Sequence, residues 1–411
     1  MLLLNMARGL SVSDADIIVV GAGPVGMLAA LLSAQQGSKV LLLEQAAERP
    51  VLSRAIGITP PSLEILSSLG LADVFIEHGV AVRVSEAYGR SMPLGRLDFS
   101  GLQGDFPFVL SIPQDRTEAL LEEALLADAS VRFLRGHQVT NCFDEADHVF
   151  VGGTCADAAL FHYTGQYVLA CDGGKSAVRE SLGIPFEGGP DRFTYLMGDY
   201  EDTTGWGNSA HFFFTARGSV ESFPLPDGKR RYVLRTPCFI NEYTSGYLAK
   251  ELMSRTGINV DGVRQYWESG FGVQRFVAKS FCKGRVFLCG DAAHLMSPVG
   301  GQNMNTGFAD AELAAWLTRI LLEKRAPYGS VCRLYDRVRK HAVGAALRRA
   351  QWMMLAGTSG GHVWSAIRNL ASLIFLHTPL RRYLIQLFSM QSIPCRNLTT
   401  SRKSFEKELN L

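Results

Sequence analysis

The chain has 411 residues, of which 47% are hydrophobic and 19% charged, and its formal net charge is +2. That apolar share supplies a buried core for two or three lobes and excludes the profile of a disordered chain. No Lys/Arg-rich run and no basic face interleaved with aromatics is present, so no nucleic-acid partner is expected.

The eight cysteines, Cys142, Cys155, Cys171, Cys238, Cys282, Cys289, Cys332 and Cys395, include no CxxC spacing. Neither a zinc site nor a thioredoxin-like motif is indicated, and no metal is expected. Their scatter suits small buried side chains in a reducing compartment. The opening MLLLNMARGLSVSDAD has an apolar run too short for a signal peptide core. No stretch approaches the roughly 20 apolar residues of a membrane helix. The expectation is a soluble cytoplasmic protein with a frayed leader, Met6 being an alternative start.

In chain order, Asp16-Ile-Ile-Val-Val20 is a continuous apolar run, as in a strand buried on both faces. GAGPVG follows, then the helix-favouring MLAALLSAQQ, then KVLLLE, a second strand closing on Glu44. Gly21 permits the tight turn, Gly23 lets a pyrophosphate approach the backbone, and Gly26 lets helix and strand pack closely. The helix N-terminus faces the phosphates, and Glu44 accepts ribose hydroxyls. This layout specifies a dinucleotide site without separating FAD from NAD.

Residues 80–105 are rich in glycine and turn residues. A helix is expected after Gln114, in IPQDRTEALLEEAL. YVLACDGGKSAVR then gives a strand ending at Asp172-Gly173, with Ser176 and Arg179 in the next turn. Its plain reading is a turn with an N-cap, and its chemical reading is a site for nucleotide hydroxyls and phosphate. Residues 190–275 read as short strands, and the aromatic runs HFFF and SFPLP suit either a lipophilic pocket or a plain sheet core. His211, Tyr200, Tyr232 and Arg235 are candidates to meet a phenol or carboxylate. A one-residue slip swaps faces, so which of them point inward stays open.

RVFLC, then GDAAHLMSPVGGQNMNTG, repeats the strand, glycine turn and helix layout, with a helix from about Asn305. Asp291 and His294 invite a charge-relay reading. After Ala342 come helical patterns, the second split by Pro379.

GAGPVG with Glu44, DGGKSAVR and GDAAHLMSPVGGQNMNTG, in that order, resemble the group A flavoprotein monooxygenases of the para-hydroxybenzoate and phenol hydroxylase type. The likeness spans roughly residues 15–345, with Arg54, Gln114 and LYDRVRKHA as secondary marks. It implies an α/β fold: a Rossmann-like FAD-binding domain (15–79, 106–189, 276–345) interleaved with a mixed β-sheet substrate domain (80–105, 190–275), plus C-terminal helices (346–411). The chain is too short for the additional thioredoxin-like domain of larger phenol hydroxylases.

The resemblance further implies that Gly21, Gly23, Gly26 and Glu44 hold adenosine and pyrophosphate. Arg54 and Gln114 contact the ribityl chain, diphosphate or ring neighbourhood, Gly290-Asp291 anchors the ribityl at a strand end, and His294 is a packed ring and not a general base. Asp172, Gly173 and Arg179 belong to a motif tied to both FAD and NAD(P)H. Pro298, Gly300, Gly301, Met304 and Asn305 surround the flavin ring, with Pro298 also beside the substrate.

The implied reaction is hydroxylation of an aromatic or quinone-like molecule of secondary metabolism through a flavin C4a-hydroperoxide. O2 is a co-substrate and NADPH or NADH the electron donor. The alternatives are another oxidation or reduction of a lipophilic metabolite, or FAD binding without catalysis. The halogenase WxWxIP pattern is absent. The C-terminal apolar stripes pack on the flavin domain or in a homodimer, with peripheral membrane contact as the other reading.

Overall fold

The computed structural model describes residues 13–49, 55–89, 92–145, 147–239, 246–297, 301–358 and 361–411. Its first sheet explains the continuous apolar runs. The strand Ala15–Val20 lies between Leu160–Ala170 and Val40–Leu43, parallel to both, and its interior is sealed on both faces. Val131–Leu134 extends the parallel set beyond Val40–Leu43, and Val286–Leu288 beyond Leu160–Ala170. The register aligns Val20, Leu43, Ala170 and Leu288. Gly21, Glu44, Cys171-Asp172 and Cys289-Gly290 therefore all emerge at one edge, the carboxyl edge where such sheets bind ligands.

Two helices start from that edge. Pro24–Gln35 follows the first strand, and Gln302–Leu322 follows the GDAAH turn. The second begins three residues before the expected Asn305, because Gly301 takes a left-handed N-cap (φ +63°) that a sequence pattern does not show. A Cβ on Gly307 would lie 2.6 Å from Val25 Cγ2 and 3.1 Å from Gly290 Cα. Only glycine allows the two helices and the turn to meet there.

Beneath this junction lies a buried charge cluster. Asp310 accepts from His294 Nε2 at 2.7 Å, from Arg339 Nε at 2.5 Å and from the Gly290 N–H at 3.0 Å. Asp310 and His294 are 0% exposed, and Arg339 1%. Arg339 also donates to the carbonyls of Thr306 and Cys395.

The second sheet is mixed. Its order is His294–Leu295, Gln265–Ala278, Phe186–Glu201, Lys229–Thr236, Gly218–Leu225, Ala210–Thr215, Val84–Tyr88 and Pro93–Asp98. Neighbours run antiparallel except the parallel pair Ala210–Thr215 and Val84–Tyr88. The strands from residues 84–98 thus return to the sheet built mainly from 186–278. A small third sheet joins Gly57–Ile58, Val109–Ser111 and Val80–Val82.

The C-terminal helices are Tyr328–Thr358, His362–His377, Arg381–Phe388 and Arg402–Leu409. The break at Pro379 falls where expected. Leu376 packs on Leu94, Leu97 and Phe99 of the second sheet region, while Val363, Ile367, Leu370 and Ile374 are exposed. No helix among the described residues is long and apolar enough to cross a membrane. One cysteine pair departs from the expectation of a reducing compartment. Cys282 and Cys332, 50 residues apart, are joined as a disulfide, a pairing that only the fold brings about.

Burial alone would raise the Asp310 carboxyl, but Arg339 and His294 outweigh it and hold it below its ordinary value. Its stabilisation is therefore complete above the ordinary value of 3.8 and is lost as pH falls through the lowered folded value. Asp310→Asn should cost about 3–5 kcal/mol at neutral pH, because it leaves Arg339 buried without a counter-charge. A urea titration of both proteins checks this, and an unchanged midpoint would contradict it.

Candidate active site

At the carboxyl edge the glycine loop has the shape that phosphate binding needs. Gly21 has φ +97°, and a Cβ there would lie 2.4 Å from the Cys171 carbonyl oxygen. A Cβ on Gly26 would lie 1.8 Å from the Gly21 carbonyl oxygen. A Cβ on Gly23 would meet nothing within 4 Å, and Gly23 lines a large cavity. The first two glycines are required by the fold. The third leaves open room beside a helix N-terminus that no side chain caps. Glu44 accepts from the Ala22 N–H at 2.7 Å and the Ala46 N–H at 2.8 Å, which fixes its carboxylate beside the loop. This donor and acceptor set fits a dinucleotide.

The other motifs divide. Asp291 faces the cavity and accepts from Asn303 Nδ2 at 2.8 Å. Burial pushes its carboxyl up, and His294 and Asn303 oppose that. Gly301 and Met304 also line the cavity, as do Gln114 and Gly173. Gln114 accepts from the Ala55 N–H and donates to Glu118. Gly173 holds φ +79° with open space beyond it. Asp172 accepts from the Val178 N–H at 3.1 Å, and burial raises its carboxyl.

Several expected ligands are committed elsewhere. Arg179 is 3% exposed and donates to the carbonyls of Ala292 and Gly174, both at 2.9 Å. It clamps the two turn motifs together and stacks on Phe186, and it is not among the residues that line the cavity. Asn305 is 3% exposed and bonds Thr59 and the carbonyls of Gly57 and Gly301. It is a brace between chain segments, and its neighbour Asn303 is the one that reaches the cavity. Gly290 is buried against Val25. His294 lies in the charge cluster, away from the cavity lining, which agrees with a packed ring. Arg54, Pro298 and Gly300 lie outside the described residues.

The cavity has a volume of about 600 Å³ and runs from the Gly23–Gly26 loop to one face of the second sheet. Met197, Phe212, Phe223, Val233 and Phe271 pave that face, and Phe388 closes it from the C-terminal helices. Arg231 sits at the margin, held by Asp199 at 2.6 and 2.8 Å.

The three candidate catalytic side chains of this sheet are on its other face. Tyr200 and Tyr232 belong to the cluster with Leu196, Val220 and Leu234 that packs on Leu248 and Leu252 of the helix Tyr247–Thr256. His211 stacks on Trp206 at 3.9 Å and is 2% exposed, and burial pushes its imidazole down to about 4. The pleat is the reason: Phe212 and Val233 point into the cavity, so His211 and Tyr232 point away.

What the sequence reading missed is Glu221. It is 7% exposed, lines the cavity, and stands directly between Phe212 and Val233 in the sheet register. Among the described residues no donor reaches its carboxyl group. Burial pushes it up to about 7. Alternation along VESFPL was the available signal, but nothing in it said which face was wet.

A nucleotide cradle thus opens onto an apolar sheet within one cavity, and the chain's relatives are flavoproteins. The FAD binding domain family matches residues 14–350, and the chain belongs to it as an FAD-dependent monooxygenase. It is 30% identical to rifampicin monooxygenase of Streptomyces venezuelae, over 92% of this chain and 79% of that one. The structure of anhydrotetracycline hydroxylase from Streptomyces rimosus superposes with a TM-score of 0.76 at 28% identity, covering 92% of this chain and 76% of that one. p-Nitrophenol 4-monooxygenase from Pseudomonas putida, at 22% identity, shares the fold with a TM-score of 0.81, covering 91% of this chain and 98% of that one.

The Glu221 carboxyl titrates above its ordinary value of 4.5. The cost of burying its charge is therefore absent below that value, and stability is lost as pH rises through about 7. Glu221→Gln removes the titration. The variant should gain on the order of 3 kcal/mol relative to wild type at alkaline pH and little in mild acid. Thermal melts across pH check this, and a pH-independent difference would contradict it.

Proposed function

We propose that the protein hydroxylates an aromatic or quinone-like small molecule, with NADPH or NADH as electron donor and O2 as oxygen source. One observation carries this reading: a single cavity joins the glycine cradle to the aromatic wall of Phe212, Phe223 and Phe271. A flavin held at one end and a flat apolar molecule at the other would lie face to face. When bound, FAD supplies reduction by the nicotinamide and activation of O2.

The chain's residues then have distinct tasks. Gly23 and the uncapped N–H groups of Pro24–Gln35 hold the pyrophosphate, and Glu44 the adenosine ribose. Asp291, positioned by Asn303, accepts from the ribityl hydroxyls, and Gln114 contacts the same chain. The N-terminus of Gln302–Leu322 has no acidic residue in its first turn, so its dipole favours negative charge on the flavin edge. Met197, Phe212, Phe223, Val233 and Phe271 exclude water from the reacting face. The rifampicin and anhydrotetracycline enzymes support a substrate with several fused rings, and the breadth of the apolar wall accommodates one.

Asp291→Ala should weaken FAD binding about tenfold, as expected for losing a hydrogen bond to a charged group. Titration of the apoprotein with FAD, followed by flavin absorbance, measures it, and unchanged affinity would remove Asp291 from the site. The function itself is tested anaerobically. NADPH or NADH should bleach the yellow protein, faster with a phenolic polycycle present, and aerobic turnover should add one oxygen to product mass. A protein that stays colourless after incubation with FAD would defeat the proposal.

A further inference from the structure

We propose that Glu221 is the group that binds a phenolic hydroxyl of the substrate and carries its proton during hydroxylation. The inference rests on the hydroxylase reading of the cavity and adds a substrate class: a fused-ring aromatic bearing a free hydroxyl.

The geometry singles out this residue. Glu221 is in the interior of the eight-stranded sheet, with Phe212 opposite it on one neighbouring strand and Val233 on the other. Met197 continues the same row beyond Val233. A glutamate that is 7% exposed thus projects from an apolar wall into the cavity, with no hydrogen bond from any described residue. A buried polar group without a partner is costly, and it persists where a ligand supplies the partner.

The surroundings leave it as the proton acceptor of this wall. On the strand Lys229–Thr236, Arg231 and Arg235 flank Val233 on the same face; Arg231 is engaged by Asp199, and Arg235 lies over the Phe193 ring. On Phe186–Glu201, Tyr195 faces the same side, and burial and Glu221 both hold its hydroxyl protonated. Ala210–Thr215 contributes the rings of Phe212 and Phe214, and the strands Val80–Val82 and Val109–Ser111 contribute Val82, Val109 and Ser111, none of them charged. The helix Tyr328–Thr358 packs on the far end of the strand through Gly357 at Ser219. Its Arg349 is directed to the Leu387 carbonyl and Ser392, and its Arg348 is exposed. Burial pushes the Glu221 carboxyl up to about 7, and this suits a group that gives and takes protons near neutrality.

In the step itself the phenolic O–H breaks and its proton passes to a Glu221 carboxylate oxygen. The electron pair enters the ring, and the ortho or para carbon bonds to one oxygen atom derived from O2. The other atom leaves as water, with both electrons coming from the nicotinamide. As the ring regains aromaticity its carbon loses hydrogen as a proton, and Glu221 returns a proton to the phenolic oxygen.

The test uses the FAD-loaded enzyme with 1-naphthol and its ether 1-methoxynaphthalene as probes, binding being read from the flavin spectrum. Naphthol should bind about tenfold more tightly at pH about 8 than at about 5, because the ionised carboxylate is the better acceptor. The ether should show no such change. Glu221→Gln should keep its FAD and bind naphthol with no pH dependence, while Glu221→Asp should restore a weaker dependence. An unaltered pH profile in Glu221→Gln, the same profile for the ether, or no spectral response to naphthol would each overturn the proposal. Failure of the hydroxylase reading looks different: Glu221-dependent naphthol binding without any nicotinamide-driven oxygen uptake.

Discussion

The site depends on the charge cluster at Asp310. A carboxylate with no access to water survives only when every lone pair is answered. Here His294, Arg339 and the Gly290 N–H answer it. These partners come from the GDAAH turn and from the helix Tyr328–Thr358, while Asp310 belongs to the helix Gln302–Leu322. The cluster therefore sets where the turn presents Asp291 and where the helix points its N-terminus. The packing of Gly307 against Val25 and Gly290 adds the same constraint from the apolar side. The placement of Asp291 and of the helix N-terminus is in this sense a consequence of a buried charge below the cavity.

Much of the nucleotide end was legible because its rules are local. A glycine loop between a buried strand and a helix has few conformations, and an acid at the end of the next strand has one place to go. The observed positions of Gly21, Gly23, Gly26 and Glu44 follow from that. Arg179 and Asn305 show where locality stops. Each sits in a motif and has the right chemistry for a ligand, yet Arg179 donates to the carbonyls of Ala292 and Gly174 and Asn305 to those of Gly57 and Gly301. A motif specifies which loop approaches the ligand. It does not say which side chains in the loop are needed to hold it in place.

The sheet end was less legible for a geometric reason. In HFFF and RRYVLRT both faces of the strand are apolar or aromatic, because one face packs on the helix Tyr247–Thr256 and the other lines the cavity. Alternation then carries no contrast, and polar residues on the packed face, His211, Tyr200 and Tyr232, look as suitable as those on the open one. Phe388 could not be placed at all from its own segment, since it reaches the cavity only after the chain has passed the long C-terminal helices.

Two buried acids in the same molecule show how such residues can be told apart. Asp310 and Glu221 both lose hydration, and burial pushes both carboxyls upward. For Asp310 the protein supplies a guanidinium, an imidazole and an amide, and the pairing outweighs the burial. For Glu221 no described residue supplies a donor, and burial stands unopposed. The first arrangement explains itself within the fold. In the second no described residue supplies the compensating donor, and the carboxyl opens onto the cavity where a ligand hydroxyl would bring it. A sheet position that would be cheaper as leucine is better explained by binding than by folding.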